Sequence, residues 1–202
     1  MNHRKAILTA TTALTILTAA CGDGRPPTAS SPASSPNAST PARTDKAPTY
    51  KLPEDICGIA DPSGFQDLYP GSTPRSTAVD IPTRNSASVG ICTVTLGVLE
   101  SGIGLSVGTE IFTRPENAKE QYEFLRKRVF ADYPSARDVT GLGDSAYSFI
   151  DDAFGGLRIV VLHGNAHNSI VVTKRGGATY PADTSQRLIA MARKMLSSMP
   201  RA

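Results

Sequence analysis

The chain has 202 residues, 40% hydrophobic and 6% aromatic, with no Trp, three Cys and a formal net charge of +3. The excess charge belongs to the first 49 residues, where Arg4, Lys5, Arg25, Arg43 and Lys46 face only Asp23 and Asp45; residues 50–202 carry 16 charges of each sign. A neutral domain lacks the electrostatic footprint of nucleic-acid binding, and that class of partner is excluded.

Met1 to Ala20 reads as a secretory signal peptide. Arg4 and Lys5 make a positive n-region, and Ala6 to Ala20 is an uncharged run of 15 residues, five of them Thr. A spanning helix needs roughly 20 apolar residues, so this run is an export signal rather than a permanent span. Small residues precede Cys21, an arrangement that resembles the bacterial lipobox. In such a site the Cys thiol receives a diacylglycerol, the preceding peptide is removed, and the new N-terminus is acylated. At about 0.8 kcal/mol per buried methylene, two or more chains hold a protein stably on a bilayer. Cys21 is therefore expected to be the lipidated first residue of the mature chain. The expected location is the outer face of the cytoplasmic membrane, with acyl chains as the membrane contact.

Residues 21–49 read as the attachment Cys followed by a tether. Of the 28 residues from Gly22 to Thr49, 22 are Pro, Ser, Thr, Ala or Gly, and none is a large apolar residue. Such a segment cannot bury enough apolar surface to offset the entropy of ordering it. Its reach lies between about 30 Å as a coil and about 85 Å extended.

Residues 50–202 are enough for one domain with its own core. Asp61-Pro62 opens a short helix, with Phe65, Leu68 and Tyr69 on one face before Pro70. A short edge strand is expected near Ala78 to Ile81. Val89 to Leu99 is a strand with Cys92, Val94, Leu96 and Val98 on one face. Beyond Glu100-Ser101-Gly102, Ile103 to Ile111 alternates apolar and small residues, which completes a hairpin. Thr113-Arg114-Pro115-Glu116 fits a capping box for a helix to about Phe130, with Ala118, Tyr122, Leu125 and Val129 on one stripe. Strands follow at Ala146 to Ile150, Leu157 to His163 and Ser169 to Lys174. A last helix, from about Asp183 to Met199, carries Leu188, Ala192, Met195 and Met199 on one stripe. Without βαβ alternation, the expected fold is α+β: a mostly antiparallel sheet of about five or six strands, with two or three helices packed on one face.

Cys57 and Cys92 remain after Cys21. In an exported domain an even pair reads as a disulfide, and no Cys-x-x-Cys spacing supports metal or thiol chemistry.

The lipobox and Ser/Thr/Pro/Ala tether come first, then Cys57 just before a short helix and Cys92-Thr93 opening a strand. Together with Gly141-Leu142-Gly143-Asp144-Ser145-Ala146-Tyr147 and the closing Met195-Leu196-Ser197-Ser198-Met199-Pro200, this set resembles an actinobacterial cell-envelope lipoprotein family catalogued as a domain of unknown function. The resemblance implies export, a lipid anchor and a small α+β domain, with no established activity.

Four patterns invite chemistry. Gly104-Leu105-Ser106-Val107-Gly108 matches the nucleophile elbow, which needs its Ser on a strand-to-helix turn; Ser106 instead falls mid-strand. His163 and His167 flank a turn at Gly164-Asn165 and offer a metal site only if they approach across it, with Asp151-Asp152 either nearby or at the opposite end. Gly141-Leu142-Gly143-Asp144 lacks the third Gly of a dinucleotide loop and reads as a turn. Arg126-Lys127-Arg128 lies beside Glu120 and Glu123 on a helix and reads as a solvated face. No catalytic residue, metal ligand or cofactor site is assigned. The expected function is a non-enzymatic module that binds an envelope protein or a small ligand. The alternative is a cell-wall-modifying hydrolase whose site leaves no motif.

Overall fold

Residues 47–70, 73–82, 87–98, 102–151, 156–175 and 180–202 are described by a computed structural model, apart from the side chains of residues 75 and 80–82. The signal peptide, Cys21 and the tether up to residue 46 lie outside the described residues, as does Asp152. In chain order the elements are helices α1 (Ile56–Ile59) and α2 (Ser63–Gln66), strands β1 (Arg75–Pro82), β2 (Ala87–Leu96) and β3 (Ile103–Phe112), and helix α3 (Pro115–Asp132). Strands β4 (Arg137–Asp138), β5 (Ser145–Asp151), β6 (Gly156–His163) and β7 (Ala166–Lys174) follow, and helix α4 (Thr184–Ser198) closes the order. The seven strands make one antiparallel sheet in the order β1-β2-β3-β7-β6-β5-β4.

The α+β class holds, and two finer expectations are corrected. The sheet has seven strands among the described residues rather than five or six. The additional one is β4, whose two residues are too few to show any alternation. The helices also pack on both faces rather than one. Successive strand residues point to opposite faces, and β6 buries both sets. Ile159 and Val161 join the core under α1 and α4. Val160 and Leu162 join a second core with Ala118 and Tyr122 of α3 and Tyr147 and Phe149 of β5. The topology explains the division: α3 carries the chain from β3, mid-sheet, to the far edge at β4, and so must cross one face. Helix α4 follows β7 and covers the other.

Each core has its own character. The α4 side is mostly aliphatic, with the buried rings of Tyr50 and Phe65 among its members, and Leu188, Met191, Ala192 and Met195 of the helix are at most 5% exposed. Burying a side chain such as Leu188 or Met195 contributes roughly 1.5–3 kcal/mol. The α3 side is aromatic: Tyr122 and Tyr147 have ring centroids 5.3 Å apart, and Tyr133 and Phe149 4.8 Å apart. Burial pushes the Tyr147 phenol up to about 12 and raises that of Tyr122 further.

Local expectations meet mixed outcomes. Cys57 precedes the short helix α2 as expected and also lies inside a further turn, α1; its Sγ is bonded to Cys92 Sγ at 2.06 Å, joining α1 to β2. Helix α2 is a single turn; Asp61 Oδ1 accepts from Ser63 N at 2.9 Å, and Phe65 is buried. The capping box does not form, because Arg114 is the residue at the cap and no side chain bonds there. Val98 is 61% exposed, since β2 ends at Leu96 and the chain has left the sheet. The chain ends of the domain meet: Lys51 N donates to Pro200 O and Ala202 N to Thr49 O, both at 3.0 Å.

Candidate functional site

The loop Gly141 to Asp144 is held against the β6–β7 hairpin and separates two open clefts. Asp144 N donates to Leu162 O at 2.9 Å, and Asp144 Oδ2 accepts from Gly164 N at 2.6 Å. Gly143 has φ 59°, and a Cβ there would lie 2.5 Å from Leu162 O. Only glycine accepts that conformation and that approach. The turn reading of this motif is correct; its role in shaping two clefts is not visible in sequence.

The first cleft, about 430 Å³, lies between the loop and α3. Its wall is an ion pair: Arg126 Nη2 is 2.8 Å from both carboxylate oxygens of Asp138, and its guanidinium stacks 4.3 Å over the Phe130 ring. One member of the basic run is thus engaged within the fold, and the solvated-face reading applies to Lys127 and Arg128, which are exposed.

The second cleft, about 310 Å³, lies between the loop and α4. Tyr50, Leu142, His163, Arg193, Met199 and Arg201 line it. Tyr50 Oη and His163 Nε2 are hydrogen-bonded at 2.6 Å, with ring centroids 4.8 Å apart. His163 Nδ1 is buried without a hydrogen-bond partner and stands 3.9 Å from Asp144 Oδ1. With the proton on Nδ1, Nε2 accepts from the Tyr50 hydroxyl and the Nδ1 proton is turned towards the Asp144 carboxylate without a hydrogen bond to it. Behind this pair, Asn165 Oδ1 accepts from Tyr50 N at 2.6 Å, while Asn165 Nδ2 donates to Tyr50 O at 3.1 Å and to Phe112 O at 2.7 Å. The side chains of Arg193 and Arg201 are exposed and reach no partner among the described residues.

The remaining sequence candidates separate. His163 and His167 do not converge: His163 pairs with Ala166 in the ladder and His167 with Leu162, which places the imidazoles on opposite faces. His167 Nδ1 meets Glu110 Oε2 at 3.0 Å beneath α3, and its Nε2 is buried without a partner. Asp151 ends β5 opposite Gly156. Among the described residues no group of three His, Cys, Asp or Glu is placed to hold a metal. Ser106 is mid-strand, between Thr93 of β2 and Val171 of β7. Among the described residues no helix is long and apolar enough to cross a membrane.

Sequence reasoning missed Tyr50, Arg193 and Arg201. They come from the two ends of the domain and share no motif. No protein-family model matches this chain, and neither curated proteins nor solved structures supply a match.

Proposed function

We propose that the protein is a lipid-anchored lipoprotein of the cell envelope, held on the outer face of the cytoplasmic membrane through Cys21, and that its domain is a non-enzymatic binding module. The observation that carries the export half is the Cys57–Cys92 disulfide behind a lipobox-like sequence. Disulfides persist in oxidising, extracytoplasmic compartments, and both cysteines that follow Cys21 are engaged in this one. The resemblance to actinobacterial envelope lipoproteins points the same way.

Two open clefts around one loop that is hydrogen-bonded to the β6–β7 hairpin support the binding half, since ligand sites are concave and largely pre-formed. Ser106 supports it too: a mid-strand hydroxyl facing Thr93 and Val171 lacks the exposed turn of an activated nucleophile. Protease added to intact spheroplasts should degrade the domain without lysis, and a fluorophosphonate probe should leave the protein unlabelled. A protected domain contradicts export. Labelling that disappears in Ser106→Ala contradicts the non-enzymatic reading.

A further inference from the structure

We propose that the outer edge of β1 docks the β1 of a second copy of this chain, the two strands pairing antiparallel about a two-fold axis. This goes beyond the binding-module reading and does not depend on the membrane anchor.

The two edges of the sheet are finished differently. At the β4 edge the outward backbone groups of β5 are engaged. Val139 N donates to Ala146 O at 2.9 Å, Arg137 pairs with Ser148, and Ile150 N donates to Ser135 Oγ at 2.9 Å. A strand of two residues and a side-chain cap leave little there to template another chain. At the other edge, β1 pairs with β2 through all eight residues, from Arg75 opposite Thr95 to Pro82 opposite Ser88, without a bulge. Alternate residues of such a strand turn their N–H and C=O groups outward, and among the described residues no strand receives them. Ser76 to Val79 are exposed, and Val79 keeps 48% of its surface in water. A long, regular edge with an exposed β-branched side chain is the kind of surface that strand addition uses.

Three features select a second copy as the occupant. The tether cannot serve, because Pro26, Pro27, Pro32, Pro36, Pro41 and Pro48 leave it no eight-residue run with a full set of N–H donors. Residues 50–202 carry 16 charges of each sign, so two copies approach without net repulsion. The closed β4 edge sets the stoichiometry. An antiparallel β1–β1 contact is isologous, and each copy uses in it its one open edge among the described residues, so pairing stops at a dimer instead of running on as a fibre. An axis near Ala78 and Val79, the middle of the strand, brings the two Val79 side chains together and covers apolar surface that water now meets.

The test uses the exported full chain carrying Cys21→Ala, so that acyl chains cause no association. Sedimentation equilibrium between about 1 μM and 1 mM, the range of a small interface, should show a reversible monomer–dimer equilibrium. Hydrogen exchange at the outward amides of β1 should slow as the dimer fills. Val79→Lys sets like charges across the axis and removes the apolar contact, so the dissociation constant should rise at least about tenfold. Phe124→Lys alters a side chain that is 58% exposed on α3, which packs on β3, β6 and β7, and this variant should dimerise as the parent does. Both positions are exposed, so melting temperatures at a concentration where monomer dominates should match the parent. A chain that stays monomeric over this range overturns the proposal, as does association lost in Phe124→Lys but kept in Val79→Lys. Protected β1 amides in a monomer also overturn it, because they would assign the edge to another part of the same chain.

Discussion

The hydroxyl of Tyr50 and Nε2 of His163 lie 2.6 Å apart, so a residue at the start of the domain is fastened to the β6–β7 hairpin at the far side of the sequence. Asn165 reinforces the contact with two hydrogen bonds to the Tyr50 backbone and makes a third to Phe112 O. Tyr50→Phe should cost about 1–2 kcal/mol in urea unfolding, because it also leaves a ring nitrogen without its partner. Asn165→Ala should cost more, about 3 kcal/mol, since it strips several buried backbone groups. A smaller loss in Asn165→Ala than in Tyr50→Phe contradicts this account of the junction.

Gly143 and Gly141 provide a matched pair. Both have positive φ, but a Cβ at Gly143 meets Leu162 O at 2.5 Å while one at Gly141 meets nothing within 4 Å. Gly141→Ala should cost about 1 kcal/mol from conformation alone. Gly143→Ala should cost clearly more, with a lower denaturation midpoint. Equal midpoints would show that the loop is not pressed against β6.

The Cys57–Cys92 bond closes a separation of 35 residues, for which chain entropy gives a stabilisation of roughly 4 kcal/mol. Reduction should lower the denaturation midpoint accordingly. Mass spectrometry after alkylation of the non-reduced domain should find neither thiol modified. Two alkylated thiols in freshly purified protein contradict the pairing.

Burial raises the folded pKa of Tyr122 and Tyr147 above the ordinary phenol value of 10.0, that of Tyr147 to about 12. A group whose folded pKa is raised contributes stability that is full below the unfolded value and is lost as pH climbs towards the folded one. The domain should therefore lose stability from pH 10 upward. The absorbance of these two phenolates should appear only with unfolding. Titration of all tyrosines near pH 10 without loss of structure contradicts the aromatic core beneath α3.

How far the sequence revealed this fold depends on whether the signal is local. Alternation in Ile103 to Ile111 and the stripe Leu188, Ala192, Met195 and Met199 are periodic, and both elements formed with those residues buried. The face that α3 covers was not legible. Its stripe shows what is apolar but not which side of the sheet receives it, and Val160 and Leu162 read as mere continuations of an apolar strand. β4 was invisible because two residues carry no period. The histidines were legible as a pair but not as neighbours on opposite faces, since a one-residue shift in ladder register exchanges the faces. The second cleft was beyond sequence reading, because Tyr50, His163, Arg193 and Arg201 meet only through tertiary packing.

The most direct test of the whole account is the fate of Cys21. The mature protein should begin at Cys21, carry the added mass of its acyl chains, and partition with the membrane fraction. Cys21→Ala should abolish the acyl mass and move the protein to the soluble fraction with its domain folded. A mature wild-type chain that lacks acyl mass, or a Cys21→Ala chain that stays in the membrane fraction, contradicts the lipid-anchored reading.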